Sequence, residues 1–296
     1  MVININKYHP ALAVLTLLIL MVVSLSLLTF FEHSKEPPEP LADPDTFSPY
    51  GEFLTWTEVD KLFPRYAEAT VIDFDTGSKF RVQRKGGTYH ADVQPLTAED
   101  TAVMKLIYSG KWSWQRRAVI VQLDSGRRIA ASINGMPHGL GSIPDNNFSG
   151  HSCIHFRDSK THCSREVNMA HQIMVWKAAN QVDQQVLALT PQKTVEMFLA
   201  AVDQGDTSIA SKVVDKDSEA AAELLQGLMD IESVKLHRIG KMEQGSLAVC
   251  IGVIYKNSRE IHEKNLTLQL SQRKNQGWLI DPQTMLPLLD SVSTCC

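Results

Sequence analysis

No run of Lys or Arg longer than two residues occurs in this 296-residue chain, whose formal net charge is −4. Without a basic block in either half, nucleic acid is excluded as a partner. Cysteine is scarce too. The five (Cys153, Cys163, Cys250, Cys295, Cys296) include no CxxC pair, so neither a disulfide scaffold nor a zinc ribbon is expected. An odd number cannot pair completely within one exported chain, and Cys153 is the thiol with a chemical reason to stay free. What remains is an ordinary globular composition, 44% hydrophobic and 21% charged, at a length that suits two domains.

Charge is missing altogether from residues 11–31, ALAVLTLLILMVVSLSLLTFF. At about 1.5 Å per helical residue this run spans roughly 30 Å, the thickness of a bilayer's hydrocarbon core. Lys7 precedes it, while Glu32, Lys35, Glu36 and Glu39 follow. This bias places residues 1–10 in the cytoplasm and everything after residue 31 outside. The run is longer than the apolar region of a signal peptide, no small-x-small cleavage site ends it, and no Cys follows it closely. The expectation is therefore an uncleaved single-pass anchor in the cell membrane. Residues 32–52, rich in Pro and acidic side chains, read as an extended spacer.

Residues 53–185 read as a strand-rich domain. Val71–Phe74 and Lys79–Val82 flank Asp75-Thr76-Gly77, and Ala118–Leu123 and Arg127–Ile133 flank Asp124-Ser125-Gly126, two hairpin signatures. Thr97 caps a helix that runs to about Ser109, and a further helix is expected over 166–179. Asn134 to Gly150 is Gly/Pro/Asn-rich, either a disordered insertion or a loop over a site. A second domain, 190–290, opens at Thr190-Pro191, an N-cap followed by Pro at the first helical position. Its helices precede the strands 233–239, 247–255, 265–271 and 278–280, an α+β arrangement.

Five of the ten histidines (His90, His138, His151, His155, His162) gather in the first domain, most densely in His151-Ser152-Cys153-Ile154-His155. On a strand, His151, Cys153 and His155 share one face. A thiol between imidazoles loses its proton readily, and the thiolate is the nucleophile. Gly150 leaves room for close backbone approach.

The segments His138-Gly139 and Gly150-His151-Ser152-Cys153 resemble the L,D-transpeptidase (YkuD) family. The resemblance implies a β-rich catalytic domain, Cys153 as nucleophile, His138 as general base and His151 helping to shape the oxyanion site. Backbone N–H groups around Ser152 and Cys153 would hold that oxyanion. It also implies acyl transfer on peptidoglycan stem peptides without a cofactor. Ser152 stands where the family has Gly, and His155 where it has Asn or Arg. The stretch from LTWTEVDKLFPRYAEATVIDFDTG to GHSCIHFRDSKTH is also similar to a group of exported Firmicute proteins. TPQKTVEMFLAAVDQGD and GWLIDPQTM resemble the NTF2-like, cone-shaped α+β domains.

Other readings stand beside this one. His138, His151, Cys153 and His155 are candidate zinc ligands, as in a zinc-dependent wall hydrolase. The three on the strand span about 13 Å, so two of them with His138 fit one ion better. A non-catalytic wall-binding protein is the third reading. Arg116 and Arg117 are candidates for a stem-peptide carboxylate, or else a solvated pair. His90 and Asp92 would orient a catalytic histidine or make a structural hydrogen bond. Oligomeric state is not legible.

Overall fold

The computed structural model describes Met21, residues 48–162 and residues 164–291. The apolar run 11–31 and the expected anchor lie outside the described residues except for Met21, as do Cys163, Cys295 and Cys296. Among the described residues no helix is long and apolar enough to cross a membrane.

Turn chemistry sets the first hairpin. Asp73 Oδ2 accepts from Thr76 N at 3.0 Å and from Thr76 Oγ1 at 2.8 Å, and Gly77 takes φ +70°, which a side chain would resist. The turn joins β1 (Glu68–Asp73) to β2 (Lys79–Gly86), with Val71 opposite Phe80. The second hairpin pairs β4 (Arg116–Leu123) with β5 (Arg128–Asn134). The short strand β3 (Ala91–Pro95), which pattern alone does not reveal, and β6 (Ser152–His155), within the segment read above as a strand, complete a closed barrel in the order β1-β2-β3-β6-β5-β4.

Alternation divides β1, β4 and β5 between two cores. Val71, Val82, Val93, Val121, Ala131, Ile133 and Ile154 fill the barrel, joined by Val59 and Phe63 from the α1 region (helix Trp56–Leu62) and by Met104 of α2 (Ala98–Ile107). Capping boxes, Thr55 with Glu58 and Thr97 with Asp100, start these two helices. Ile72, Ala118, Ile120 and Ala130 face the other way, into a second core.

That second core contains α3 (Met169–Ala178), which Asn168 caps three residues later than the expected start. Ile173, Met174, Val175 and Trp176 are all buried, as befits a helix enclosed on more than one side. Each such side chain contributes about 1.5–3 kcal/mol relative to exposure. After α4 (Val182–Val186), Thr190 caps α5 (Pro191–Asp203), with Pro191 at the first position. Short helices α6 (Thr207–Ala210) and α7 (Ala220–Gly227) follow. An antiparallel sheet comes next, β7 (Ile231–Ile239), β8 (Ser246–Tyr255), β9 (His262–Arg273) and β10 (Gly277–Ile280), and then α8 (Pro282–Met285). From Tyr50 onward these elements form one compact unit. The protein is α+β.

Candidate active site

Cys153 lies on β6, directly opposite Asp92 of β3. Ile154 belongs to the barrel core, so period-two alternation turns Cys153 and His155 outward. The next contribution comes from the loop 135–151. It is ordered by Gln94, whose buried Oε1 accepts from Ser142 N, Ser142 Oγ and Ile143 N. Asn146 Nδ2 donates to Pro95 O at 2.8 Å, and Phe148 is buried in the barrel core. The loop therefore stands over the site.

Its two ends meet there. His138 N donates to His151 O at 3.0 Å and His151 N to His138 O at 2.8 Å. The two glycines of the motif allow this pairing. A Cβ on Gly150, at φ +117°, would stand 2.5 Å from His138 O. The space there is thus taken by the protein's own backbone rather than left for substrate. A Cβ on Gly139, at φ +60°, would stand 2.5 Å from His151 Cε1.

The pairing brings His138 Nε2 to 3.1 Å from Cys153 Sγ. His138 Nδ1 donates to Met136 O at 2.8 Å, so Nε2 carries the lone pair and accepts the thiol proton. The exposed Trp114 ring lies 5.0 Å from the His138 ring. Cys153 is a free thiol, 4% exposed. Burial and then the Asp92 charge push its pKa well up, so the resting group is a thiol.

Around the pair stand more imidazoles. Asp92 Oδ1 lies 3.2 Å from His90 Nε2, 3.1 Å from His162 Nε2 and 3.8 Å from His151 Nε2. Burial acts to raise the Asp92 carboxyl. The His90 contact and the charges of His151, His90 and His162 outweigh it, so its pKa is lowered. Burial lowers both His151 and His162, each opposed by the Asp92 charge. His162 arrives because Lys160 N donates to Tyr89 O, returning the chain to β3.

His155 shares the outer face but not the cluster. Its ring stacks between His90 at 4.4 Å and His171 of α3 at 3.7 Å, and His171 Nδ1 meets Ser132 Oγ at 2.9 Å. Burial, and behind it neighbouring positive charge, holds both His155 and His171 well below the ordinary imidazole value. Ser152 points into the barrel wall, its hydroxyl donating to Asn134 O. Arg117 forms a bidentate pair with the fully buried Asp73, at 2.6 and 2.8 Å. The Arg116 backbone N–H donates to Gln204 Oε1. Arg117 is thus engaged away from Cys153, whereas Arg116 is held there by its backbone alone. His90 and Asp92 lie beside the thiol, whereas His162 and His171 are additions that spacing along the chain does not reveal.

The fold and site define an α+β protein built on a closed barrel, with a buried Cys–His pair on its outer wall. Comparison with protein-family models, with curated proteins and with solved structures found no match.

Proposed function

We propose that this protein is a membrane-anchored, extracytoplasmic cysteine acyltransferase or peptidase of the L,D-transpeptidase (YkuD) type, acting on peptidoglycan stem peptides, with an NTF2-like C-terminal module. The observation that carries the reading is the 3.1 Å contact between Cys153 Sγ and His138 Nε2, with His138 Nδ1 anchored on Met136 O. It supplies a nucleophile, a base and an orienting group in sequence.

In the proposed reaction the thiol proton passes to His138 Nε2 as sulfur attacks the scissile carbonyl carbon. The tetrahedral oxyanion collapses, the C–N bond breaks, and the leaving amine takes the proton back from His138. The resulting thioester on Cys153 is then attacked by an acceptor amine, which gives a cross-link, or by water, which gives hydrolysis. His138 accepts the attacking group's proton and returns it to sulfur.

The test is intact mass after exposure to a carbapenem, whose strained amide acylates such a thiol. One covalent adduct per chain, absent from Cys153→Ala and reduced at least about tenfold in rate in His138→Gln, is expected. No adduct on folded, metal-free protein would sink the reading.

A further inference from the structure

We propose that the Cys153 cluster also binds one zinc ion, through His138 Nε2, His151 Nε2, Cys153 Sγ and an imidazole nitrogen of His162, and that the loaded site withholds Cys153 from acylation. Zinc binding stands independently of acyl transfer; only the withholding rests on that reading.

Compactness comes first. One ligand atom from each of these four residues lies within 4.8 Å of the other three. Tetrahedral zinc with nitrogen and thiolate ligands wants separations of about 3.5 Å, so side-chain shifts of about 1 Å complete the shell. The donor set is also right in kind, since imidazole and thiolate suit zinc over magnesium or calcium.

Tautomers give the second reason. His90, His138 and His151 each turn Nδ1 to a backbone carbonyl: Lys160 O at 2.7 Å, Met136 O at 2.8 Å and Leu140 O at 3.2 Å. A ring that donates Nδ1–H to a carbonyl presents an unprotonated Nε2, the usual outer support of a metal-bound histidine. All three lone pairs therefore face the same small volume. Asp92 Oδ1 borders it, 3.2 Å from His90 Nε2 and 3.8 Å from His151 Nε2, so a cation there would be held by lone pairs and carboxylate together.

The unpartnered atoms fall where a cation would lie. His151 Nε2 and Asp92 Oδ1 are both buried without a hydrogen-bond partner. This also selects between two overlapping quartets. His90, Asp92, Cys153 and His162 make the other, in which His90 Nε2 already faces both Asp92 Oδ1 and His162 Nε2. His151 Nε2 has no hydrogen-bond partner, so the ion goes to its quartet, with His162 turning from His90 to join it. Asp92 and His90 then stand behind as a charge-balancing carboxylate and a brace. His155, stacked on His171, stays out of the shell.

With zinc bound, Cys153 is a metal thiolate and His138 Nε2 has no free lone pair. Nucleophile and base are withheld together, and removal of the ion frees both.

The experiment uses the full-length protein in detergent, stripped with chelator, with Co²⁺ as the optical probe and Zn²⁺ for labelling. We expect about one Co²⁺ per chain with a thiolate-to-cobalt charge-transfer band. The band should be lost in Cys153→Ala and His151→Ala and kept in His155→Ala, with circular dichroism confirming each fold. Zn²⁺ should slow iodoacetamide labelling of Cys153, mapped by mass, at least about tenfold, and chelator should restore it. No band on folded stripped wild type, or a band that survives Cys153→Ala, overturns the proposal. Carbapenem acylation of the same stripped sample separates the two readings. Adduct without metal binding removes zinc alone. Metal binding without adduct removes acyl transfer and leaves the zinc site standing.

Discussion

Replacing Gly150 with Ala places a methyl 2.5 Å from His138 O and 2.9 Å from His138 C. Both are backbone atoms, held in place by the paired hydrogen bonds between His138 and His151. The residue also sits at φ +117°, a region that costs a side-chain-bearing residue about 1–3 kcal/mol. Relief of the clash adds about 1–3 kcal/mol, giving a loss of roughly 2–6 kcal/mol. For a unit of this size that is a fall in Tm of about 4–24 °C. Gly139→Ala is the informative contrast. Its methyl would meet His151 Cε1, also at 2.5 Å, but a side chain can swing aside. The cost is then about 1–2 kcal/mol for φ +60° and about 1 kcal/mol for the His151–Leu140 hydrogen bond. Thermal melts followed by circular dichroism, paired with carbapenem adduct formation, separate the two. Gly150→Ala should lose stability and adduct together as His138 is pushed from Cys153. Gly139→Ala should keep most of its stability and its adduct while losing the cobalt band. A Gly150→Ala protein melting within about 2 °C of wild type would refute the loop geometry.

The stacked His155 and His171 supply a second expectation. Their pKa values lie well below the ordinary imidazole value because burial disfavours the charged form. Below about pH 6.5 the unfolded chain therefore binds protons that the folded chain refuses, and stability falls as pH drops. Two such groups give a slope of up to about 2.7 kcal/mol per pH unit. Urea melts between pH 7 and pH 5 on His155→Leu/His171→Leu should show the flatter dependence, and an unchanged slope would remove the stack as the cause. A third concerns Arg117. Asp73→Ala leaves a guanidinium without the carboxylate it pairs with in the barrel wall. A loss of about 3–5 kcal/mol is expected in denaturant melts, and a loss under about 1 kcal/mol would mean the pair is not structural.

Much of the fold is legible in particular residues. Asp75-Thr76-Gly77 and Asp124-Ser125-Gly126 mark hairpins because few other residues satisfy those turns, and Thr190-Pro191 marks the start of α5 because both supply local helix chemistry. The strand β3 escapes notice. It is five residues long, ends in Pro95, carries Asp92 in its middle, and owes its place to partners on β2 and β6. The site divides in the same way. Cys153, His138 and His151 are legible because the glycines beside the histidines announce a tight approach. His155 shares a strand face with Cys153 as expected, yet its ring is taken up by His90 and His171, which period two cannot foretell. His162 lies nine residues beyond Cys153 with no pattern to mark it. Only the return of Lys160 to Tyr89 brings it back to Asp92. Arg117 looks available in the sequence because nothing there shows Asp73 beside it.

The central claim is that His138 takes the proton of Cys153. Its most direct measurement is the pH profile of Cys153 alkylation on metal-free protein, in wild type and in His138→Gln. Burial makes the isolated thiol a poor acid, so its reactivity near neutral pH must come through the 3.1 Å contact with His138. The account predicts that His138→Gln slows alkylation at pH 7 by about tenfold or more and moves the profile to higher pH. Superimposable profiles would contradict it.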